Sequence, residues 1–192
     1  MKKNNYIKIM TPEFRISFPN LAEPKAINNV GDPKFGLKML FPKKMSPKNL
    51  ELYGLMQAAC KKVSLEYFNN TLPPNLKKPL RDGNETGYSE DADYYIANAR
   101  TSVRPGIVDS KNEEIKDKQK IEEICYAGSW ARATLLVGAT DTAGNKTCFF
   151  VLQNLQWLRD DLRFGNKKLV TEEFEIVQND IVESISDFDA TF

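Results

Sequence analysis

A mainly β chain, folded as a small closed or partly open barrel of five or six strands with one packed α-helix and long loops, is the architecture the sequence predicts. Two observations predict it. Five or six short segments read as strands, the clearest of them alternating apolar and polar residues with period two, and only one long segment shows helical spacing. The connections are rich in Asn, Pro and Gly, which supply the left-handed and fixed-φ positions that turns need. At 192 residues the chain suits one compact domain, with hydrophobic residues at 41% and charged residues at 28%, enough for a real core.

The elements follow in order. Glu13–Phe18 alternates, with Phe14, Ile16 and Phe18 on one side and Arg15 and Ser17 on the other. Turn chemistry at Asn28–Lys34 leads to a second strand, in which Phe35, Leu37, Met39 and Phe41 point inward and Lys38 outward. The period then changes. Ser46 caps a helix with Pro47 at its first position, and Leu52, Met56, Ala59, Cys60, Val63 and Tyr67 recur at helical spacing, so Pro47–Phe68 reads as one amphipathic helix. Asn69–Asp93 is a long segment of the kind that is usually functional or mobile. Tyr94–Ser102 and Gly106–Asp109 read as strands, Ser110–Glu123 as a loop or short helix. Ile124–Thr140 and Lys146–Leu158 read as the two clearest strands, joined by hairpin residues 141–145. No internal repeat is visible.

The composition excludes several classes of function. Histidine is absent, which removes His-dependent triads and His-containing zinc sites. Cys60, Cys125 and Cys148 form no C-x-x-C pair and read as buried free thiols of a cytosolic protein. No stretch is long and apolar enough for a membrane span or a signal peptide. No P-loop motif is present. No cofactor is expected.

The net charge of +1 conceals an asymmetry. Residues 1–82 hold 15 Lys and Arg against 6 Asp and Glu, a net +9; residues 83–168 hold 12 against 13, a net −1; residues 169–192 hold none against 7, a net −7. A basic body joined to an acidic end suggests a polyanion-binding surface with an interaction tail, or else an acidic element folded against the body.

Strand phase then singles out side chains. In Ser129–Val137, Ala131, Ala133, Leu135 and Val137 form the interior side, leaving Trp130, Arg132 and Thr134 outside. In Tyr94–Ser102, Tyr94, Ile96, Asn98 and Arg100 share a face, with Arg104 just beyond, and Trp157 precedes Arg159 at a strand end. Rings beside guanidinium groups suit a single-stranded nucleic acid, because unpaired bases stack and phosphates need cations. The helix, with Glu51 and Glu66 beside Lys61 and Lys62, makes a poor duplex-reading element. Two alternatives stand beside this reading: a Mg²⁺-dependent nuclease built on Glu90, Asp91 and Asp93, and an interaction or virion protein that binds no DNA.

Six blocks in order resemble the single-stranded DNA-binding proteins of tailed bacteriophages: Val30–Lys43, the helix to Phe68, Lys77–Glu85, Ile107–Ile115, Tyr126–Ala139 and Phe150–Leu158. The end of the chain, Ser186–Phe192, is similar to the acidic, aromatic-ended tails of that family, although residues 169–185 are more apolar than such tails. The resemblance implies an OB-fold-like barrel over residues 1–168 and an acidic C-terminal segment over 169–192. It implies a non-enzymatic protein of the host cytoplasm that coats single-stranded DNA in phage replication, recombination and repair, and that forms a homodimer. The DNA-binding face would carry Lys34, Lys38, Tyr94, Arg100, Arg104, Trp130 and Arg132. The tail residues Asp187, Phe188, Asp189 and Phe192 would contact the phage polymerase and helicase or primase.

Overall fold

The computed structural model describes residues 5–27 and 30–165. Its order is β1 (Ile7–Met10), β2 (Phe14–Ile27), β3 (Val30–Pro42), α1 (Pro47–Tyr67), β4 (Arg81–Asp82), β5 (Tyr94–Thr101), β6 (Gly106–Val108), α2 (Lys118–Ile124), β7 (Trp130–Thr142) and β8 (Asn145–Arg159). The mainly β reading therefore holds, with eight strands and two α-helices among the described residues where five or six strands and one helix are expected. The extra elements are short: β1 adds to the edge of β7, and β4 pairs with β5 over two residues.

Five strands form a closed circuit. β7 pairs with β2, β2 with β3, β3 with β5, β5 with β8, and β8 returns to β7. All these pairs are antiparallel except β5 with β8; β6 also lies parallel to β8. Inside the circuit, Phe14, Ile16, Met39, Phe41, Ala97, Ala99, Ala131, Leu135 and Val137 are fully buried. The small interior residues of β5 and β7 make room for the large ones of β2 and β3, as a tight barrel interior requires.

The helix over Pro47–Tyr67 forms as the sequence predicts. Ser46 accepts a hydrogen bond from the Asn49 amide and Pro47 sits in the first turn. Its buried stripe is Tyr53, Met56, Ala59 and Val63, so Tyr53 takes the inward place expected of Leu52, and α1 packs against β7, β1 and β8.

Two expectations need correction. Strand β7 starts at Trp130, not at Ile124. The preceding residues are the end of α2, capped by Asp117 and buried through Ile121 and Ile124, and then a turn in which Ser129 N–H bonds Tyr126. Phe18 does not point inward. The register of β2 against β3 shifts between Ser17 and Asn20, so Ile16 and Ser17 are buried in succession and the Phe18 ring is thrown to the outside, 72% exposed. The expected boundary at 168/169 lies outside the described residues.

Candidate nucleic-acid interface

The outer faces of β2, β3 and β5 form an open groove of about 270 Å³. Its lining includes Lys25, Lys34, Lys38 and Arg100 and, among the described residues, not one Asp or Glu. Lys25 and Lys34 are direct cross-strand partners on β2 and β3, and both are exposed. Like charges facing each other destabilise a sheet, so this pair is sustained against its own repulsion. Arg100 lies on the next strand opposite Gly36. A Cβ on Gly36 would come within 2.6 Å of the Ala99 carbonyl and 2.9 Å of the Arg100 side chain, so only glycine lets the guanidinium stem lie across β3.

Lys38, at the other end of the groove, plays a different part. Its ammonium pairs with the Asp91 carboxylate at 2.6 Å, and the two side chains are 13% and 2% exposed. Thr86 donates its hydroxyl to the same carboxylate at 2.8 Å. Gly83 meets the Asp91 backbone so closely that a Cβ would stand 1.8 Å from its carbonyl oxygen. The loop 83–91 is thereby pinned onto β3. The pinning brings Tyr88, 70% exposed, close to Lys38, whose ammonium lies 5.6 Å from the Tyr88 ring centre and 5.7 Å from that of Phe18. Phe18 holds φ +45°, a left-handed conformation that a bulky L-residue adopts only when its surroundings impose it.

The seven residues expected to form one face are divided by the structure. Lys34, Lys38 and Arg100 meet in the groove. Tyr94 is half-buried at the far end of β5, opposite Pro42. Arg104 donates to the Lys116 carbonyl at 2.8 Å in the following loop. Arg132 bonds Gln156 at 2.8 Å and lines a separate cleft with Met10, Glu114 and Asn154.

Trp130 belongs to a third place. Its indole N–H donates to Asp161 at 2.7 Å, and the Arg159 guanidinium stacks 4.4 Å over its ring. Arg15, directly opposite on β2, donates to the Gly128 and Leu162 carbonyls and lies 4.3 Å over Phe164. The segment 160–165 is thus strapped over Trp130 by the chain's own groups, and Phe164 N–H bonds Ala127. Hydrogen bonding from Trp130 holds the Asp161 carboxyl below its usual range, with Arg15 and Arg159 adding to the effect. Trp157 packs against the core instead of joining this corner.

Sequence reasoning missed Phe18, Lys25 and Tyr88. Pro19-Asn20 after Phe18, and a lone tyrosine inside a Gly- and Asn-containing loop, were the available signals. The carboxylate cluster does not converge: Asp91 faces Lys38 and Thr86, and among the described residues no three Cys, Asp or Glu side chains are placed to hold a metal. The four tail positions Asp187, Phe188, Asp189 and Phe192 lie outside the described residues.

The ring of β-strands is shared with solved single-stranded DNA-binding proteins of bacteriophages. The protein of bacteriophage Enc34 in complex with single-stranded DNA superimposes with a TM-score of 0.72 at 21% identity, covering 86% of this chain and 96% of that one. The same phage's protein in another structure gives 0.69 at 22% identity, covering 90% and 95%. Gp2.5, encoded by bacteriophage T7, gives 0.56 at 13%, covering 84% and 97%. At these identities the superpositions establish a shared fold. The chain belongs to the family of the Enterobacter phage Enc34 single-stranded DNA-binding protein, whose family model matches residues 7–185. No curated protein matches it.

Proposed function

We propose that the chain is a non-enzymatic protein that binds single-stranded DNA without sequence preference, along the groove of β2, β3 and β5. The observation that carries this reading is the facing pair Lys25 and Lys34 with Arg100 beside them, in a groove that among the described residues is lined by no carboxylate. Such an arrangement is relieved by a bound polyanion. Phe18 and Tyr88 offer exposed rings on which bases stack, and stacking tolerates every base. Lys34 and Arg100 neutralise phosphates, and Lys38 acts chiefly by holding the loop that carries Tyr88. Arg104 and Arg132 extend the cationic surface outside the groove; Tyr94 and Trp130 support neighbouring structure.

Family membership further supports a role in phage DNA replication, recombination and repair inside the host cell, with no membrane partner. Among the described residues no helix is long and apolar enough to cross a membrane. Residues 169–192, with seven carboxylates and no basic residue, compete with DNA for the groove and present Asp187, Phe188, Asp189 and Phe192 to replication enzymes such as the polymerase and helicase or primase. The working form is a homodimer.

The test is a gel shift with single- and double-stranded oligonucleotides, with and without Mg²⁺. Retarded, intact single strands are expected. Cleaved product would restore the Glu90, Asp91 and Asp93 alternative, and no shift at low salt would leave an interaction protein.

A further inference from the structure

The groove does not end at β5. Asn98, directly opposite Lys38, also lines a second and larger cleft of about 700 Å³ on the far side of the strand. That cleft is bordered by Lys77, Lys78 and Arg81, with Phe149 on its wall. All three cations are exposed. Among the described residues none of the three has an ion-pair partner, although Lys77 reaches the Asn145 side-chain carbonyl at 3.1 Å. The cleft does hold two carboxylates. Asp82 is occupied by Lys43 at 2.7 Å, whose hydrogen bond keeps that carboxyl below its usual range, and Glu85 is exposed.

The backbone under these cations is fixed, unlike that of an ordinary surface loop. Lys77 bridges in parallel to Thr147, its N–H bonding the Lys146 carbonyl at 2.9 Å while its own carbonyl accepts from Cys148 at 3.0 Å. Arg81 is held in β4 opposite Ile96. Phe149 is half-buried and meets Tyr6 edge-on, which fixes its ring plane. Fixed backbone, unpaired cations and a held ring repeat the chemistry of the groove.

We infer that the Lys77, Lys78 and Arg81 cleft is a second subsite for the same DNA strand, which leaves the groove over Asn98 and crosses β5. The inference rests on the single-stranded DNA reading above. The two subsites are joined by a short path. Arg81 faces Ile96 and Arg100 lies four residues further along the same strand, roughly 13 Å at about 3.3 Å per residue. A strand of a few nucleotides therefore fills the groove alone, and a longer one spans both subsites, within the range of about 4–16 nucleotides for one fold of this type. Continuity through Asn98 favours DNA over an acidic protein segment as the occupant.

The experiment compares the full chain with its Lys78→Ala/Arg81→Ala double variant on fluorescein-labelled oligo(dT) of five and fifteen nucleotides, by anisotropy across a salt series, with thermal melts of both proteins. The expected result is a Kd for the short oligomer within twofold of the parent and a Kd for the long oligomer weakened about tenfold. The log–log salt slope for the long oligomer should fall by about 1.4, from two lost phosphate contacts at about 0.7 each. Equal affinities for parent and variant at both lengths, with melts unchanged, overturn the inference and leave the groove reading intact. Loss of binding to an added peptide of residues 169–192, with long-oligomer affinity unchanged, overturns it in favour of an acidic segment. Failure of the parent to bind either oligomer would remove the single-stranded DNA reading itself.

Discussion

The groove and the Trp130 corner both combine an aromatic ring with a guanidinium or ammonium group, and they differ in what else they touch. At the Trp130 corner, Asp161 takes the indole N–H, Arg159 stacks on the ring, and Arg15 is used by two backbone carbonyls. In the groove, among the described residues, Lys25, Lys34 and Arg100 make no ion pair with a carboxylate, and Phe18 is mostly exposed to solvent. The same residue types thus make a self-satisfied clasp in one place and an unfilled site in the other. Partners decide the difference, and composition does not.

The largest expected effect tests what holds the groove's edge. Lys38→Ala leaves the buried Asp91 carboxylate unpaired and should cost about 3–5 kcal/mol of stability in urea unfolding. Lys38→Ala with Asp91→Asn should recover much of it. A loss under 1 kcal/mol for the single variant would mean the pair is water-exposed in solution.

Phe18 offers the sharpest contrast with Trp130. Phe18→Ala should weaken single-stranded DNA binding by about 1–3 kcal/mol and leave the melting temperature near the parent's, because the ring is in solvent. Phe18→Gly should weaken binding equally while raising stability by on the order of 1 kcal/mol, since glycine relieves the left-handed backbone. If both variants bind DNA as the parent does, the groove lacks its stacking platform.

Trp130→Phe should behave in the opposite way. Removing a hydrogen bond to a charged partner should cost about 1.5–3 kcal/mol at most, and less where water screens it, while DNA affinity stays within twofold. A tenfold loss of affinity with unchanged stability would make the corner part of the interface.

The smallest effect is one of pH. Asp161 has a lowered pKa, so its bond to Trp130 is present above the ordinary carboxylate range and is lost as pH falls through the lowered value. Trp130 fluorescence in a Trp157→Phe background should change with a midpoint below that of a free aspartate. A midpoint at or above that of free aspartate would show that the clasp is open in solution.

What was legible in the sequence follows from these contacts. Strand phase placed Ala131, Ala133, Leu135 and Val137 inside, because period-two alternation is a local property. The same alternation put Lys38 and Arg100 on the outer faces of their strands, whereas Lys34, read as part of a turn, was named only through the family resemblance. Phe18 was misplaced because a bulge changes phase without changing composition. Trp130 and Arg132 were read as one surface with Arg100 because alternation gives the side of a strand but not its position around a closed ring. The role of Lys38 depended on Asp91, a partner 53 residues away that no local pattern reports.

The placement of β8 bears on how the molecule comes into being on the ribosome. This strand pairs with β7, β5 and β6, yet it is the last of the eight to be made. While the nascent chain is shorter, the part of the β5 edge at Ala99 and Arg100, beyond its two-residue pairing with β4, lacks the partner that β8 later supplies. An exposed edge of that kind invites pairing with neighbouring chains, and contacts distant in sequence form slowly. Barrel closure must therefore follow translation of Arg159, which makes the interval between α2 and β8 the stage at which chaperones or crowded sister chains have the greatest influence on yield.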